Sequence, residues 1–460
     1  MSRNLAMVPY SAPAQTRAVL WGWGANHRVE CLVEAPETPD QVARRLDRNG
    51  SIARGLGRSY GDAATNARRQ VLAMTKLDRY LGFDPEEGLL ECEAGVSLAR
   101  IIDDFTPRGW FPMITPGTKF VTVGGCIAND VHGKAHHAQG AFSTCVESMT
   151  LLLASGEIVE VSRTRRPELF WACFGGMGLL GVVLTARIRL RRIETTYFTQ
   201  RSIVVRDLDE LLEAFEKHDD LPYSVAWIDS LAKGARLGRG VLQVGDHART
   251  ADLPKRFVAE PLRISGPPKV HVPFELPEWT LNRWSIAALN VVIEKAQTRP
   301  GNVKHYEQFF YPLDAIGEWY RGYGRRGFTQ YQFVIPLRDG RERLRPLLET
   351  IASSDQLPFL NVLKKLGAQS PGHLSFPFEG YTFAIDFPIR DGLRPLLARL
   401  DAMVIECGGR IYLGKDSFVE PASLRAMYPR LDEWLAIKAE VDPQNVFTSD
   451  LGRRVGLVPA

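Results

Sequence analysis

The sequence predicts an α+β protein of two domains, from three observations. At 460 residues the chain exceeds one simple core. Its first half alternates short strand-like and helix-like segments. Near Ile193 the texture changes to wider spacing and more aromatic residues, with a proline-rich middle holding Pro254, Pro261, Pro267, Pro268, Pro273 and Pro277. The expected division is residues 1–195, residues 196–412 with a proline-rich loop near 253–300, and a C-terminal segment 413–460 returning to the interface between the two.

The elements follow in order. Thr38-Pro39-Asp40-Gln41 reads as a capping box with proline at the first helical position, Val42 and Leu46 share a face, and Asn49-Gly50 stops the helix. Strands are expected at 51–54, 71–74 and 89–93, and Ser97 caps a helix carrying Leu98, Ile101 and Ile102. Residues 146–153 and 157–161 flank Ala154-Ser155-Gly156 as a hairpin, and 167–174 reads as a short helix. Along 182–190, Ala186, Ile188 and Leu190 alternate with Arg187 and Arg189, the pattern of a strand with one wet face. Later strands are expected at 224–228, 330–336, 359–363 and 381–387. The crowded prolines of 253–279 suit a long loop or lid.

Composition excludes several classes. With 57 basic and 53 acidic residues the net charge is +4, which gives no nucleic-acid footprint. Six cysteines lie scattered without a C-x-x-C pair, so they read as buried thiols. No run reaches the roughly eighteen apolar residues of a spanning helix, and Met1 to Tyr10 lacks the apolar core of a secretion signal.

Two glycine-rich stretches carry the chemistry. Ala53-Arg54-Gly55-Leu56-Gly57-Arg58-Ser59-Tyr60-Gly61-Asp62-Ala63 offers successive backbone N–H groups and two arginines, the makings of a nest for a pyrophosphate. The stretch from Thr115 to Lys134, with Gly117, Thr122-Val123-Gly124-Gly125 and Asn129-Asp130-Val131-His132, is too poor in bulky residues for ordinary core and suits a backbone pressed against a planar ligand. Gly176-Met177-Gly178-Leu179-Leu180-Gly181 matches a dinucleotide pattern but runs from helix to strand, the reverse of what that mechanism needs. Gly133-Lys134-Ala135 lacks the rest of a P-loop. A flavin dinucleotide remains as the ligand that uses both stretches.

These stretches, together with Gly175-Gly176-Met177-Gly178-Leu179, Phe328-Thr329-Gln330-Tyr331-Gln332, Leu374-Ser375-Phe376-Pro377, Lys415-Asp416-Ser417 and Asp442-Pro443-Gln444-Asn445-Val446-Phe447, resemble the vanillyl-alcohol oxidase family of FAD-binding oxidoreductases across nearly the whole chain. Within the family the resemblance is to the oxidase subunits of polyprenylphosphoryl-ribose epimerases. It implies a PCMH-type FAD-binding domain and a second domain with a mixed or antiparallel sheet that binds substrate. It also implies FAD held by residues Ala53 to Ala63, Gly117, Thr122 to Gly125, Asn129 to His132, Val183 and Tyr412. Where many relatives carry a flavin-linking histidine this chain has Arg58, so the FAD is expected to be non-covalent. His132 and Lys415 are the implied catalytic pair, with Tyr60, Trp227, Gln330, Gln332, Asn361 and Lys364 as substrate contacts. Ala384 stands where the best-known relatives have a cysteine.

The implied reaction is oxidation of the 2′-hydroxyl of a polyprenylphosphoryl-β-D-ribose to a ketone, by hydride transfer to flavin N5 and loss of the hydroxyl proton. A separate NAD-dependent short-chain reductase would complete the epimerisation. A lipid-linked substrate implies peripheral attachment on the cytoplasmic or periplasmic face of an inner membrane. Two other classes fit the same residues: an aldonolactone or alditol oxidase, and a non-catalytic FAD-binding subunit.

Other roles compete at several positions. His132 and His136 have metal-like spacing, but no third acidic ligand accompanies them, so no metal is expected. Lys364-Lys365 suits a solvated edge as well as a phosphate contact. Tyr331 and Phe333 read as core, since Gln330 and Gln332 take the opposite face.

Overall fold

The computed structural model describes residues 16–266, 268, 270–299 and 301–460. The reading of Met1 to Tyr10 and the position of Pro267 lie outside the described residues. Two sheets come from the first part of the chain. A four-stranded sheet has the order Thr16–Leu20, Val29–Glu34, Gln70–Ala73, Ser51–Arg54; its first pair is antiparallel and the others parallel. The second sheet is antiparallel, built on the long strand Val182–Arg192, with Leu89–Glu93 on one side and Val146–Leu152 on the other. Ala186, Ile188 and Leu190 are buried in that strand and Arg187 is exposed, as the alternation predicts.

The expected cap at Thr38 forms, its side chain accepting from Gln41 N–H. The return bond from the Gln41 side chain goes one residue earlier, to Glu37 N–H, and the helix Pro39–Arg45 ends before Leu46. Ser97 caps Leu98–Phe105 as predicted. All six cysteines are free; five are buried and Cys407 is half-buried.

Residues 197–411 form an antiparallel eight-stranded sheet. Its order is Val303–His305, Tyr197–Val205, Gly240–His247, Tyr223–Ile228, Asn361–Leu366, Gly380–Pro388, Phe328–Pro336, Arg410–Ile411. Strand side chains alternate between faces, so the register sorts the sheet into two surfaces. One surface carries Ala226, Tyr331, Phe333, Leu363, Phe383 and Ile385, which join the main core under the helices Leu208–Lys217, Gly340–Ser353 and Leu393–Glu406. The opposite surface carries Trp227, Gln330, Gln332, Lys364, Thr382, Ala384 and Asp386.

The proline-rich middle is not wholly a loop. Residues 283–297 form the fifteen-residue helix Arg283–Gln297, capped by Asn282, whose side chain accepts from the N–H groups of Trp284 and Ser285. No proline lies between Pro277 and Pro300, so the composition that marked a lid does not extend into the helix.

The C-terminal segment ties the parts together. Ser51 N–H donates to Val446 O at 2.7 Å and Thr448 N–H to Ser51 O at 3.0 Å, adding the tail beside the four-stranded sheet. The Asp442-to-Phe447 motif has a structural basis: the buried Asp442 carboxylate accepts from the N–H groups of Val446 and Phe447 and from the Lys438 ammonium. Arg454 donates to both oxygens of Asp62 at 2.8 Å and sits 2.9 Å from Asp416, linking the first glycine loop to the segment that carries Lys415.

Candidate active site

The two glycine stretches are neighbours. A side chain on Gly55 would strike Thr122 Oγ1, and Thr122 caps the helix Val123–Asn129 by accepting from Gly125 N–H at 3.2 Å. Residues 55–59, with Gly124, Gly125 and Asn129, are partly exposed within this otherwise buried region and outline a groove. Among the described residues the amides of Leu56, Gly57, Arg58 and Ser59 donate to no other group of the protein, which is the open donor array a pyrophosphate requires. Gly117 is exposed, with no atom within 4 Å of where a side chain would start. The residues present fit a bound FAD.

The candidate cofactor residues sort into two kinds. Arg54 is not a phosphate ligand in this arrangement: its guanidinium is buried and donates to Trp21 O and Ala64 O, bracing the loop from behind. Asp62 is committed to Arg454, and Ala63 is core. The buried Asp130 carboxylate accepts from Ser143 N–H, Ser143 Oγ and Ser375 Oγ, so it pins the helix end to the 370–376 loop. Val123 and Val131 are buried beside these pins, and Val183 lies on the strand that packs against the helix.

Arg58 is placed differently. Its guanidinium lies 3.9 Å from the Trp23 ring centroid and 5.3 Å from that of Phe120, and its Nε is buried without a partner. Asn129 holds the groove floor through Nδ2–H to Gly125 O, and its carbonyl accepts from the Tyr412 hydroxyl at 3.1 Å.

The residues expected to contact substrate face this groove. Tyr60 is buried against the edge of Phe328, and the Lys415 ammonium sits 3.7 Å from the Tyr60 ring centroid. Burial pulls Lys415 down to about 7, although the nearby Asp386 carboxylate opposes that shift. Asp386 accepts from Gln330 Nε2 at 2.6 Å and from the Tyr323 hydroxyl at 2.7 Å; burial still raises it to about 6. Lys364 lies on the same sheet face and burial lowers it to about 8. Among the described residues its ammonium has no carboxylate partner. Both lysines are only partly buried by surface area, so they line a cleft rather than packed core.

A chain of hydrogen bonds sets the His132 tautomer. The Thr382 hydroxyl donates to Phe333 O at 2.9 Å, so its oxygen accepts from Gln332 Nε2 at 3.1 Å. Gln332 directs its other N–H to His132 Nε2 at 3.0 Å, which leaves the His132 proton on Nδ1, buried and unpartnered. Burial and the neighbouring Lys364, His136 and Lys415 hold His132 well below the usual histidine range, so the ring is neutral. His136 is structural: its Nδ1 accepts from Gly367 N–H at 3.1 Å.

The structure therefore brings together Tyr60, His132, Gln330, Gln332, Lys364, Lys415 and, on the adjoining strand, Trp227, whose indole N–H is buried without a partner. Asn361 is not brought to this face. It pairs with Ile385 and alternates away from Lys364, which sets it on the helix-packed side. Sequence reasoning missed Asp386, Thr382 and Tyr323. The first two alternate with Ala384 along one strand, and that period was the available signal; Tyr323 lies on an irregular 3₁₀ segment with no such pattern.

Residues 32–162 match a family described as an FAD binding domain, and residues 324–455 match D-arabinono-1,4-lactone oxidase. The chain is 38% identical over 459 residues to the decaprenylphosphoryl-beta-D-ribose oxidase of Mycolicibacterium smegmatis, covering 97% of this chain and 99% of the relative. An uncharacterised protein of Streptomyces coelicolor is 36% identical over 376 residues, covering 79% of this chain and all of the relative. The L-gulono-1,4-lactone dehydrogenase of Mycobacterium tuberculosis is 22% identical over 418 residues, covering 90% and 92%. With an FAD groove on one side and a polar, cationic sheet face on the other, the chain belongs to the FAD-dependent oxidoreductases of the vanillyl-alcohol oxidase superfamily, in the group that contains decaprenylphosphoryl-beta-D-ribose oxidase.

Proposed function

We propose that the protein oxidises the 2′-hydroxyl of a polyprenylphosphoryl-β-D-ribose to the 2′-keto sugar. The observation that carries this reading is Lys364, an ammonium without a carboxylate partner among the described residues, on a sheet face that also holds Gln330, Gln332, Thr382 and Asp386, with Lys415 beside it over Tyr60. An unpaired cation in a cleft favours an anionic ligand, and a sugar phosphate supplies one where a neutral lactone does not. Gln330 and Gln332 supply amides suited to sugar hydroxyls.

FAD, when bound, supplies the two-electron acceptor. Lys415 takes the hydroxyl proton, because its pKa of about 7 makes the neutral amine available near neutral pH. His132 is the less suitable base, since Gln332 occupies its accepting nitrogen; its Nδ1–H instead donates to the substrate oxygen as negative charge develops there. Lys364 neutralises the phosphate and Trp227 offers its indole N–H. Arg58 in place of a linking histidine leaves FAD non-covalent, so acid precipitation should release the flavin into the supernatant. The keto product is reduced by a separate NAD-dependent reductase. Among the described residues no helix is long and apolar enough to cross a membrane, and the lipid substrate is reached peripherally.

The test is anaerobic mixing of the yellow protein with a short-chain polyprenylphosphoryl ribose while the flavin band is followed. Bleaching that is lost in Lys415→Ala and His132→Ala is the expected result. Bleaching with aldonolactones or alditols and not with this sugar would move the protein to the soluble-sugar oxidases, and no bleaching with either would leave a FAD-binding subunit.

A further inference from the structure

Nine of the thirteen large apolar side chains that stand exposed among the described residues fall between Val258 and Ile316. They are not scattered. Val270 and Ile316 are paired across a short parallel ladder, and Arg321 donates to Val272 O and Pro273 O, holding the Phe274 segment to it. Trp279, 76% exposed, lies three residues before the Asn282 cap, and Trp284, 85% exposed, two residues after it.

The helix Arg283–Gln297 shows that this is a face. Ile286 and Asn290 point inward, Asn290 donating to Asp229. The outward stripe at intervals of four, three and four residues is Trp284, Ala288, Val291 and Lys295, with Val292 beside it. A solvated helix face would carry polar groups there.

The rim is cationic. Arg283, Lys295 and Arg299 are exposed and paired with no carboxylate among the described residues. Several nearby acids are consumed: Glu275 pairs with Arg28, Glu294 with Arg239 and Glu318 with Arg321, while Glu260 and Glu278 have no ion-pair partner among the described residues. The face is also continuous with the cleft. Leu281, between the two tryptophans, packs in one cluster with Tyr60, Tyr323 and Phe328, and its carbonyl accepts from Arg390.

We propose that this face docks on the surface of an anionic lipid bilayer. Tryptophans with aliphatic neighbours and a cationic rim are the composition of an interfacial helix, and the contact at Leu281 sets the docked face next to the mouth of the cleft. The proposal rests on the reading of the substrate as lipid-linked, and assigns the segment by which the enzyme reaches it.

The experiment is cosedimentation of the full-length, FAD-loaded protein with vesicles of phosphatidylglycerol and phosphatidylcholine, and with phosphatidylcholine alone, in the absence of any sugar substrate. The protein is expected to pellet with the anionic vesicles and less with the neutral ones. The triple variant Trp279→Ser, Trp284→Ser, Val291→Ser is expected to weaken binding by about tenfold or more, while Leu81→Ser, an exposed apolar residue elsewhere, leaves it unchanged. Failure of the wild type to bind anionic vesicles, or equal binding by the triple variant, would overturn the proposal. A concentration-dependent dimer in sedimentation velocity, lost in the triple variant and unaccompanied by vesicle binding, would instead assign the face to a protein partner. Bleaching by a soluble short-chain substrate without vesicles reports on the chemistry separately, and is expected to be the same in the triple variant and the wild type.

Discussion

The two sides of the cleft are built from different materials. The cofactor side is made of backbone: glycines, open amides and small hydroxyls, with Arg54 and Asp62 turned away into braces to Trp21 O and to Arg454. The proposed substrate side is made of side chains standing on a sheet, where Gln330, Gln332, Thr382, Lys364 and Asp386 converge because the register places them on one face. A backbone site depends on what is missing at each position, and a side-chain site on what is present. Substitutions should therefore fail differently on the two sides.

The largest effect is expected where the two glycine loops meet. In Gly55→Val the new Cβ would strike Thr122 Oγ1 and lie 3.1 Å from its methyl and 3.2 Å from its Cβ, inside the limit that packed atoms tolerate. The loops must part, and the purified protein is expected to carry essentially no flavin, read as the ratio of visible to protein absorbance. Gly117→Ala sharpens the point. Its methyl meets no protein atom within 4 Å, so the fold is expected to keep its melting temperature while flavin affinity falls. Equal flavin content in both variants would break the distinction between a glycine needed by the protein and one needed by the ligand.

On the side-chain face the fold should survive and the chemistry should not. Lys415→Met keeps the stem against Tyr60 and removes the amine; the rate of flavin reduction is expected to fall by about 10² to 10⁴, the range for losing a positioned acid–base group. In the wild type the same rate should rise with pH through about 7, because the neutral amine is the active form and burial has lowered its pKa to that region. Asp386→Asn tests the coupling. The carboxylate favours the charged lysine and so holds its pKa up; removing it lowers that pKa further, and the inflection is expected to move to lower pH. An inflection that stays in place would remove Asp386 from the site.

Legibility in the sequence follows the same division. The glycine loops could be read directly, because runs such as Gly55-Leu56-Gly57 and Gly124-Gly125 are rare without a ligand. The strand that carries Gln330 and Gln332 was also legible by alternation. Which residues of different strands share a face was not, since register is set by pairing between distant segments. Asn361 illustrates the cost: it is one residue from Val362, which faces Trp227, and that single step puts it on the other surface. Arg54 illustrates another. An arginine in a glycine loop suggests an anion ligand, and only the fold reveals that Trp21 and Ala64 have already claimed its donors. The helix Arg283–Gln297 was hidden by the prolines that precede it.

The smallest effect on turnover is expected at Ala384, and it tests the register most directly. Ala384 is 7% exposed, pairs with Gln332 on one side and Val362 on the other, and has no hydrogen-bonding role in the reaction proposed here. Ala384→Cys adds one sulfur to the cleft wall, a change that overpacking costs put at about 1 kcal/mol, and activity is expected to stay within about threefold of wild type. What changes is reactivity. The native cysteines near the cofactor groove, Cys126 and Cys145, are buried, and burial pushes their thiols up, away from the reactive thiolate. Cys407, half-buried, sits at the end of a helix on the far side of the sheet and serves as the internal reference. A thiol-directed electrophile small enough for the cleft should therefore label the peptide bearing position 384 in the variant, and substrate should protect that peptide while leaving the Cys407 peptide unprotected. Labelling without protection would place Ala384 off the substrate face. The assignment of Gln332, its partner across the ladder, would fall with it.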